Sequence, residues 1–430
     1  MEPFPRQTRS LCPICRKPLP AQLVQDDDGQ VVMEKTCPIH GSFSVPVWRG
    51  LVDFSQWTQS ALPLGQLGQH CPENCGICQE HESSTCCCLL EVTSRCNLRC
   101  QFCFANGGEP KPDPSLSQLK TAISHIVQQC GGPLLQLSGG EPTLREDLPE
   151  LISYAKAAGC AYVQLNTNGI RLAQDPQYAK RLAQAGLDIV FLQFDGTHDG
   201  IYRTLRGKPL LDIKTQAIQV CGQLGLGVTL VSTVVPGVNA DNLGDLIEFA
   251  KKQVPWVRGV HFQPVSYFGR YPAKPQADQR YTLDQLMADI SQQAGIPIRS
   301  FLPSRCDHPL CGFHSSFLVD DQGHLRPLSD IAHTAQTRKA AADNRDYVAR
   351  HWCRYPESQA PGAISDEMDF DTFLYHLQHS TLTLSAMAFQ DAMNLNIERL
   401  HRCSLHVYNA GRIIPFCANY LTAYHEENQP

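Results

Sequence analysis

The sequence predicts an α/β fold: a partial (β/α)6 barrel, preceded by an N-terminal metal-binding ribbon and followed by a C-terminal cysteine-bearing domain. Three observations predict it. Apolar strand-like runs alternate with amphipathic stretches through the middle of the chain, polar residues gather behind each run, and cysteines cluster in groups instead of scattering.

The strand-like runs are, in order, LLEVTSR, LLQLSGG, YVQLNTNG, IVFLQFDG, VTLVSTVVPG and VHFQPVS. Each is short, apolar or β-branched, and closed by polar, Gly or Pro residues, as buried strands are. Between them lie the helix-like stretches LSQLKTAISHIVQQC, LPELISYAKAAG, QYAKRLAQAG and LLDIKTQAIQVCGQLG, several ending at glycine. Such β-α units in series imply a parallel sheet with right-handed crossovers, open or curled. The polar residues favour the curled form. Cys96, Ser138–Glu141, Asn166–Asn168, Asp195, Ser232–Thr233, and Gln263 with Ser266 each follow one strand. In β/α barrels that rim carries the site.

Length and charge narrow the function. A chain of 430 residues has room for two or three domains. A net charge of −6 gives no basic surface for nucleic acid. No apolar run approaches the ~18–20 residues that span a bilayer, and MEPFPRQTRS has no signal-peptide core. A cytoplasmic protein, not an integral membrane protein, is expected. In that reducing setting the 20 cysteines are expected to bind metal, not to form disulfides.

The cysteines fall into groups with ligand-like spacing. Cys12 and Cys15, with Cys37 and His40 beyond AQLVQDDDGQVVMEK, suit a tetrahedral site on a small ribbon with two strands around the DDDG turn. Cys71, Cys75 and Cys78 in CPENCGIC precede a CCC run, of which Cys87 is expected to be the fourth ligand of a second cluster, with zinc the alternative there. Cys96, Cys100 and Cys103 follow the first strand. Three thiolates leave one position open, whether the metal is an iron–sulfur cluster or zinc. Cys306, Cys311, Cys403 and Cys417 form a late four-thiolate set. Cys130, Cys160 and Cys221 read as small buried hydrophobes. Arg203, Arg206, Arg258 and Arg270 read as surface or helix-end charges. His261 and Tyr267, at and beyond the sixth strand, are the expected catalytic groups, relaying a proton or quenching a radical.

The CxxxCxxC spacing, with Phe102 and Phe104 around its last cysteine and LSGGEP after the second strand, resembles the radical S-adenosylmethionine (SAM) superfamily. The resemblance implies a [4Fe–4S] cluster on Cys96, Cys100 and Cys103 whose open iron binds SAM, and reductive cleavage of SAM to a 5′-deoxyadenosyl radical that abstracts hydrogen from substrate. It implies SAM contacts at Gly139, Gly140, Glu141, Asn166, Asn168 and Ser232 or Thr233, with Gln263 on the same rim. The run CPENCGICQEH…TCCCLLEVTSRCNLRCQFCFA resembles the subgroup of archaeal tetraether lipid synthase and a methanogen pterin methylase. QLSGGEPTLREDLPE, QLNTNGIRLA, VFLQFDGTHDGIYRTLRG, VRGVHFQPVSYFGRYP and IPFCANYLT resemble the TrsS family more closely. Kinship of this kind implies C–C bond formation or alkylation on a small or lipid-like molecule. A peptide-modifying radical enzyme and a non-catalytic electron carrier are the alternatives. It also implies two auxiliary [4Fe–4S] clusters, one mononuclear zinc or iron, a ferredoxin or flavodoxin as low-potential donor, and a partner methyltransferase. The expected division is 1–60 ribbon, 61–88 cysteine-rich segment with an auxiliary cluster, 89–298 radical SAM barrel and 299–430 auxiliary iron–sulfur cluster domain.

Overall fold

The computed structural model describes residues 4–59, 76–78, 80–109, 111–273, 279–304, 306–328, 340–355, 362, 364 and 368–422. The chain opens with an antiparallel sheet of β1 (Arg6–Leu11), β2 (Pro18–Gln25), β3 (Val31–Cys37) and β4 (Gly41–Trp48), in that order. Asp26 closes the β2–β3 turn by accepting from the Asp28 and Gln30 N–H groups at 3.1 and 2.8 Å. Alternate residues of β3 face inward, Lys35 among them. Its ammonium reaches Ser10 Oγ at 2.9 Å and the carbonyls of Ala392 and Met393 at 3.2 and 2.6 Å, which ties the ribbon to the C-terminal region.

The middle of the chain forms β5 (Cys87–Thr93), β6 (Leu134–Gly139), β7 (Tyr162–Thr167), β8 (Ile189–Gln193), β9 (Gly227–Val234) and β10 (Val257–Pro264). Each pairs in parallel with the next, and helices fill the crossovers. The helix Leu116–Cys130 shows why these residues fold as they do. Ser115 and Gln118 form a capping box at its start, Leu119, Ala122, Ile123 and Ile126 make its buried face, and Gly131 ends it at φ 66°.

The C-terminal region adds β11 (Leu302–Pro303), β12 (Gly312–Val319), β13 (Leu325–Pro327), β14 (Thr381–Met387), β15 (Leu405–Asn409) and β16 (Arg412–Pro415). These do not form a sheet of their own. β14 pairs in parallel with β10, and β15 in parallel with β5, so both edges of the barrel sheet are covered by late strands. β12 and β16 then pair antiparallel outside them. The region expected from residue 299 is thus continuous with the barrel sheet. Among the described residues, no helix is long and apolar enough to cross a membrane.

Candidate active site and metal centres

A cavity of about 310 Å³ runs through the barrel. Cys96, Cys100 and Cys103 line it where the strands end, and Cys87, Asp307 and Ser404 line it where they begin. Parallel strands with alternating faces produce this arrangement. Gln136 and Ser138 of β6, Gln164 and Asn166 of β7, Phe191 and Gln193 of β8, and His261 and Gln263 of β10 all point inward.

The three-cysteine loop is held by its own backbone and by two arginines. The Leu98 and Gly107 N–H groups donate to Cys96 and Cys103 Sγ at 3.4 and 3.3 Å. Arg270 pairs with Cys103 through both backbone groups at 2.9 Å, and its side chain donates to the carbonyls of Cys100 at 2.8 Å and Gly107 at 3.2 Å. Arg206 donates to the Phe102 carbonyl at 3.3 Å and reaches the Cys100 thiol. Burial opposes its charge, but Asp195 and Cys100 beside it raise its pKa above the ordinary value. Burial pushes the Cys96 thiol up to about 12 and raises Cys103, so thiolates here need a metal to carry their charge. A Cβ on Gly140 would lie 2.7 Å from the Ser94 carbonyl, and one on Gly107 3.0 Å from Gly140 Cα, so backbone lies close-packed around the loop. Three thiols on one loop, a fixed guanidinium and a glycine-walled cradle fit a cluster with three protein ligands and a small polar cofactor beside it. Arg206 and Arg270 are therefore parts of the site and not surface charges. Arg258, fully buried, donates to Thr381 Oγ1 at 2.8 Å and is no surface group either.

The other residues singled out in the sequence divide by which way they face. Gly139, Gly140, Glu141, Asn166, Asn168, Thr233 and Gln263 line the cavity. Glu141 is only 1% exposed and has its oxygens engaged: Oε1 accepts from Thr143 N, Thr143 Oγ1 and Thr167 Oγ1, and Oε2 from Asn168 N. These bonds lock the turn after β6 to the turn after β7, and Oε2, with a single donor, keeps a second lone pair for a ligand. Ser232 faces away from the cavity and meets the Asp195 carbonyl at 3.4 Å, while its neighbour Thr233 faces in. Tyr267 does not line the cavity. It packs edge-on against Tyr271, with Arg280 over its ring at 5.3 Å, so the catalytic role expected of it is corrected to a core role. His261 does face the cavity, with Nδ1 2.9 Å from Ser385 Oγ, and burial holds its pKa down at about 4.

The ribbon thiols converge. The ligand atoms of Cys12, Cys15, Cys37 and His40 all lie within 4.8 Å of one another. His40 Nδ1 sits 3.4 Å from Cys12 Sγ and 3.5 Å from Cys37 Sγ, and Cys15 and Cys37 Sγ are 4.0 Å apart. These are edges of a tetrahedron around an ion held at roughly 2.0–2.3 Å.

The remaining groups are placed less simply. Cys71 and Cys75 lie outside the described residues, and Cys78 is exposed. Cys87 points into the barrel and donates to Gln136 Oε1 at 3.3 Å, whereas Cys88 faces Cys130. Of the late set, Cys311 and Cys417 lie near enough to raise the pKa of Cys403, and Cys311 near enough to raise that of Cys417. Cys306 instead packs with Cys86 and meets Ser404 Oγ at 3.0 Å. The sequence reading missed Gln136 and Gln164. Their signal was a polar residue inside an otherwise apolar strand.

A parallel β/α sheet with a three-thiol loop after its first strand and a glycine turn after its second defines the class. Residues 90–250 match the radical SAM superfamily and residues 4–49 match the HMPTM N-terminal zinc ribbon domain, and the chain belongs to the radical SAM superfamily. Membership implies SAM and a [4Fe–4S] cluster. The 7,8-dihydro-6-hydroxymethylpterin dimethyltransferase of Methanocaldococcus jannaschii is 32% identical to it, over 98% of this chain and 94% of that protein. A probable GTP 3′,8-cyclase of Methanothermobacter thermautotrophicus is 27% identical over 50% of this chain and 70% of its own length. Among solved structures, Streptococcus suis SuiB bound to precursor peptide SuiA aligns at TM-score 0.41 with 16% identity, covering 50% of this chain and 47% of that one.

Proposed function

We propose that this chain alkylates a carbon atom of a small nitrogen heterocycle by radical SAM chemistry: one SAM is cleaved to the deoxyadenosyl radical, and a second SAM donates the methyl group and leaves as S-adenosylhomocysteine. The observation that carries the reading is the likeness to the pterin dimethyltransferase, which takes in the ribbon and the C-terminal cysteines as well as the barrel. Cys96, Cys100 and Cys103 hold the cluster. Backbone at Gly139 and Gly140, with Asn166, Asn168 and Thr233, faces SAM. When bound, cluster and SAM supply a carbon radical that takes hydrogen from substrate.

The chain's own residues position, shield and select. Arg206 fixes a positive charge beside the thiolates. Phe102, Phe104, Phe268, Phe389 and Phe416 wall the cluster end of the cavity against water. His261, neutral at pH 7, presents its second ring nitrogen to the substrate space. Cys311, Cys403 and Cys417, together with Cys71, Cys75 and Cys78, hold auxiliary clusters that exchange electrons with the substrate. The ribbon holds zinc as a structural ion. A ferredoxin or flavodoxin supplies electrons from outside, the role that dithionite takes in the test.

The test is anaerobic turnover with SAM, dithionite and 7,8-dihydro-6-hydroxymethylpterin. Deoxyadenosine and a pterin heavier by one or two methylene units are expected, and neither from a chain in which Cys96, Cys100 and Cys103 are all alanine. Deoxyadenosine with unmodified pterin would overturn the substrate. Unchanged deoxyadenosine in the alanine variant would overturn the cluster assignment.

A further inference from the structure

We infer that Gln136 and Gln164 together read the edge of the substrate, and that this edge is of lactam type: a ring N–H or amino group beside a carbonyl or ring nitrogen. The inference rests on the heterocycle reading above and sharpens it to one edge and two residues.

The two glutamines sit directly opposite each other on β6 and β7, and both line the barrel cavity. Gln164 is 1% exposed, yet among the described residues no donor reaches its Oε1. Its Nε2 is turned toward Asn166 Oδ1 at 3.5 Å, and Asn166 Nδ2 toward Ser138 Oγ at 3.4 Å. The relay runs in one direction and uses the amide N–H, so the Gln164 carbonyl is left without a donor in the wall of the cavity. A buried amide carbonyl without a donor is costly and uncommon, and a ligand N–H relieves it. Gln136 has the opposite polarity. Its Oε1 accepts the Cys87 thiol at 3.3 Å, which leaves its amide N–H groups as the donors it can offer at the cavity wall.

An acceptor beside a donor selects its complement. A hydrocarbon chain satisfies neither group. A phosphate, which only accepts, leaves Gln164 unpaired. The walls select a flat partner: the Phe191 ring lies 5.2 Å from His261 and 5.4 Å from Trp352, and all three border the cavity. The carboxylate at that end, Asp307, is held on both oxygens, Oδ1 by the Ser404 N–H at 2.7 Å and Oδ2 by Ser304 Oγ at 3.1 Å and the Cys306 thiol at 3.6 Å, so the glutamine amides are the groups that make the selection.

The test is anaerobic equilibrium titration of the metal-loaded protein, with SAM present, against 6-hydroxymethylpterin, guanine and a medium-chain fatty acid. Wild type is expected to bind the pterin. Gln164→Leu is expected to weaken it at least about tenfold with SAM affinity unchanged. Gln164→Glu keeps an acceptor and is expected to stay within a few-fold of wild type. Wild-type pterin affinity in Gln164→Leu, or equal loss in the Leu and Glu variants, would overturn the assignment. If Gln164→Leu fails to hold SAM, Gln136→Leu takes its place with the same expected loss, and wild-type affinity there overturns the assignment. Should wild type bind guanine but not pterin, with the Leu variant losing guanine, the edge stands and the pterin reading falls. Binding of the fatty acid with neither heterocycle would overturn the edge itself.

Discussion

Arg206 forks onto Asp195, its Nε 2.8 Å from Oδ2 and Nη2 2.6 Å from Oδ1, with side chains 5% and 0% exposed. The pair links the residue after β8 to the three-cysteine loop, because the same guanidinium reaches the Phe102 carbonyl and the Cys100 thiol. It also touches Thr233 Oγ1 at 3.3 Å, so strands on one side of the barrel and the loop on the other share one buried charge. A bidentate carboxylate holds that charge in one direction, as a lysine would not.

Removing the carboxylate leaves the guanidinium buried and unpaired. Asp195→Ala is expected to cost about 3–5 kcal/mol in denaturant unfolding. It is also expected to displace the cluster signal in electron paramagnetic resonance, since Arg206 loses its anchor. A loss under about 1 kcal/mol would show that the fold does not depend on the pair.

Gly140→Ala tests the close approach of backbone behind the three-cysteine loop. The added carbon would lie 2.7 Å from the Ser94 carbonyl and closer still to that of Arg95, and both are backbone that cannot swing aside. SAM affinity, read by equilibrium dialysis, is expected to fall at least about tenfold while the ribbon keeps its metal. Unchanged SAM affinity would show that the turn after β6 has room to spare.

In the ribbon, Cys12→Ser or His40→Ala is expected to remove one zinc per chain without lowering iron. Elemental analysis of anaerobically prepared protein gives both counts. The thermal midpoint is expected to drop as well, because a four-stranded sheet this small draws folding energy from its ion. Iron in place of zinc in the wild type would overturn the metal assignment and leave the ligand set intact.

Tyr267→Phe is expected to leave product formation at the wild-type rate, because the ring packs against Tyr271 and Phe102 and does not border the cavity. Tyr267→Ala, which empties that packing, is expected to cost about 3–5 kcal/mol of stability. A large drop in turnover with the Phe variant, at unchanged stability, would restore the catalytic role.

Periodicity decides which features could be read from the chain. The barrel strands were legible because a parallel strand buried on both faces is a continuous apolar run, as in IVFLQ. TLTLSAM and LHVYN are also strands, but nothing local says that they join β10 and β5, more than a hundred residues away in sequence. The rim rule found Asn166 and Gln263, which do face the cavity. It failed at Ser232 and Tyr267, because it places a residue at a height on the barrel and not on a face. Adjacent residues of a strand point to opposite sides, so Thr233 faces in and Ser232 out. Gln136 and Gln164 lie below the rim, where only the oddity of a glutamine in an apolar strand marks them. The Arg206–Asp195 pair left no mark, since the partners sit on separate elements.

His261 gives a pH dependence whose direction is fixed by its burial. Its pKa is held at about 4 in the fold, against about 6.5 in an unfolded chain. Between those values the unfolded chain binds the extra proton, so stability rises with pH there and is lost as pH falls from about 6.5 toward 4. At pH 5 the cost relative to pH 8 is about 2 kcal/mol. His261→Gln removes the titration and keeps a polar side chain facing the cavity, next to Ser385. Unfolding free energies of wild type and variant, both prepared without iron, are expected to shift by about 2 kcal/mol in favour of the variant between pH 8 and pH 5. Other groups titrate alike in both chains and cancel. A difference that stays constant with pH would mean that the imidazole is protonated in the fold, through a carboxylate or solvent path to its second nitrogen, and the neutral group assigned to the substrate space would have to be given up.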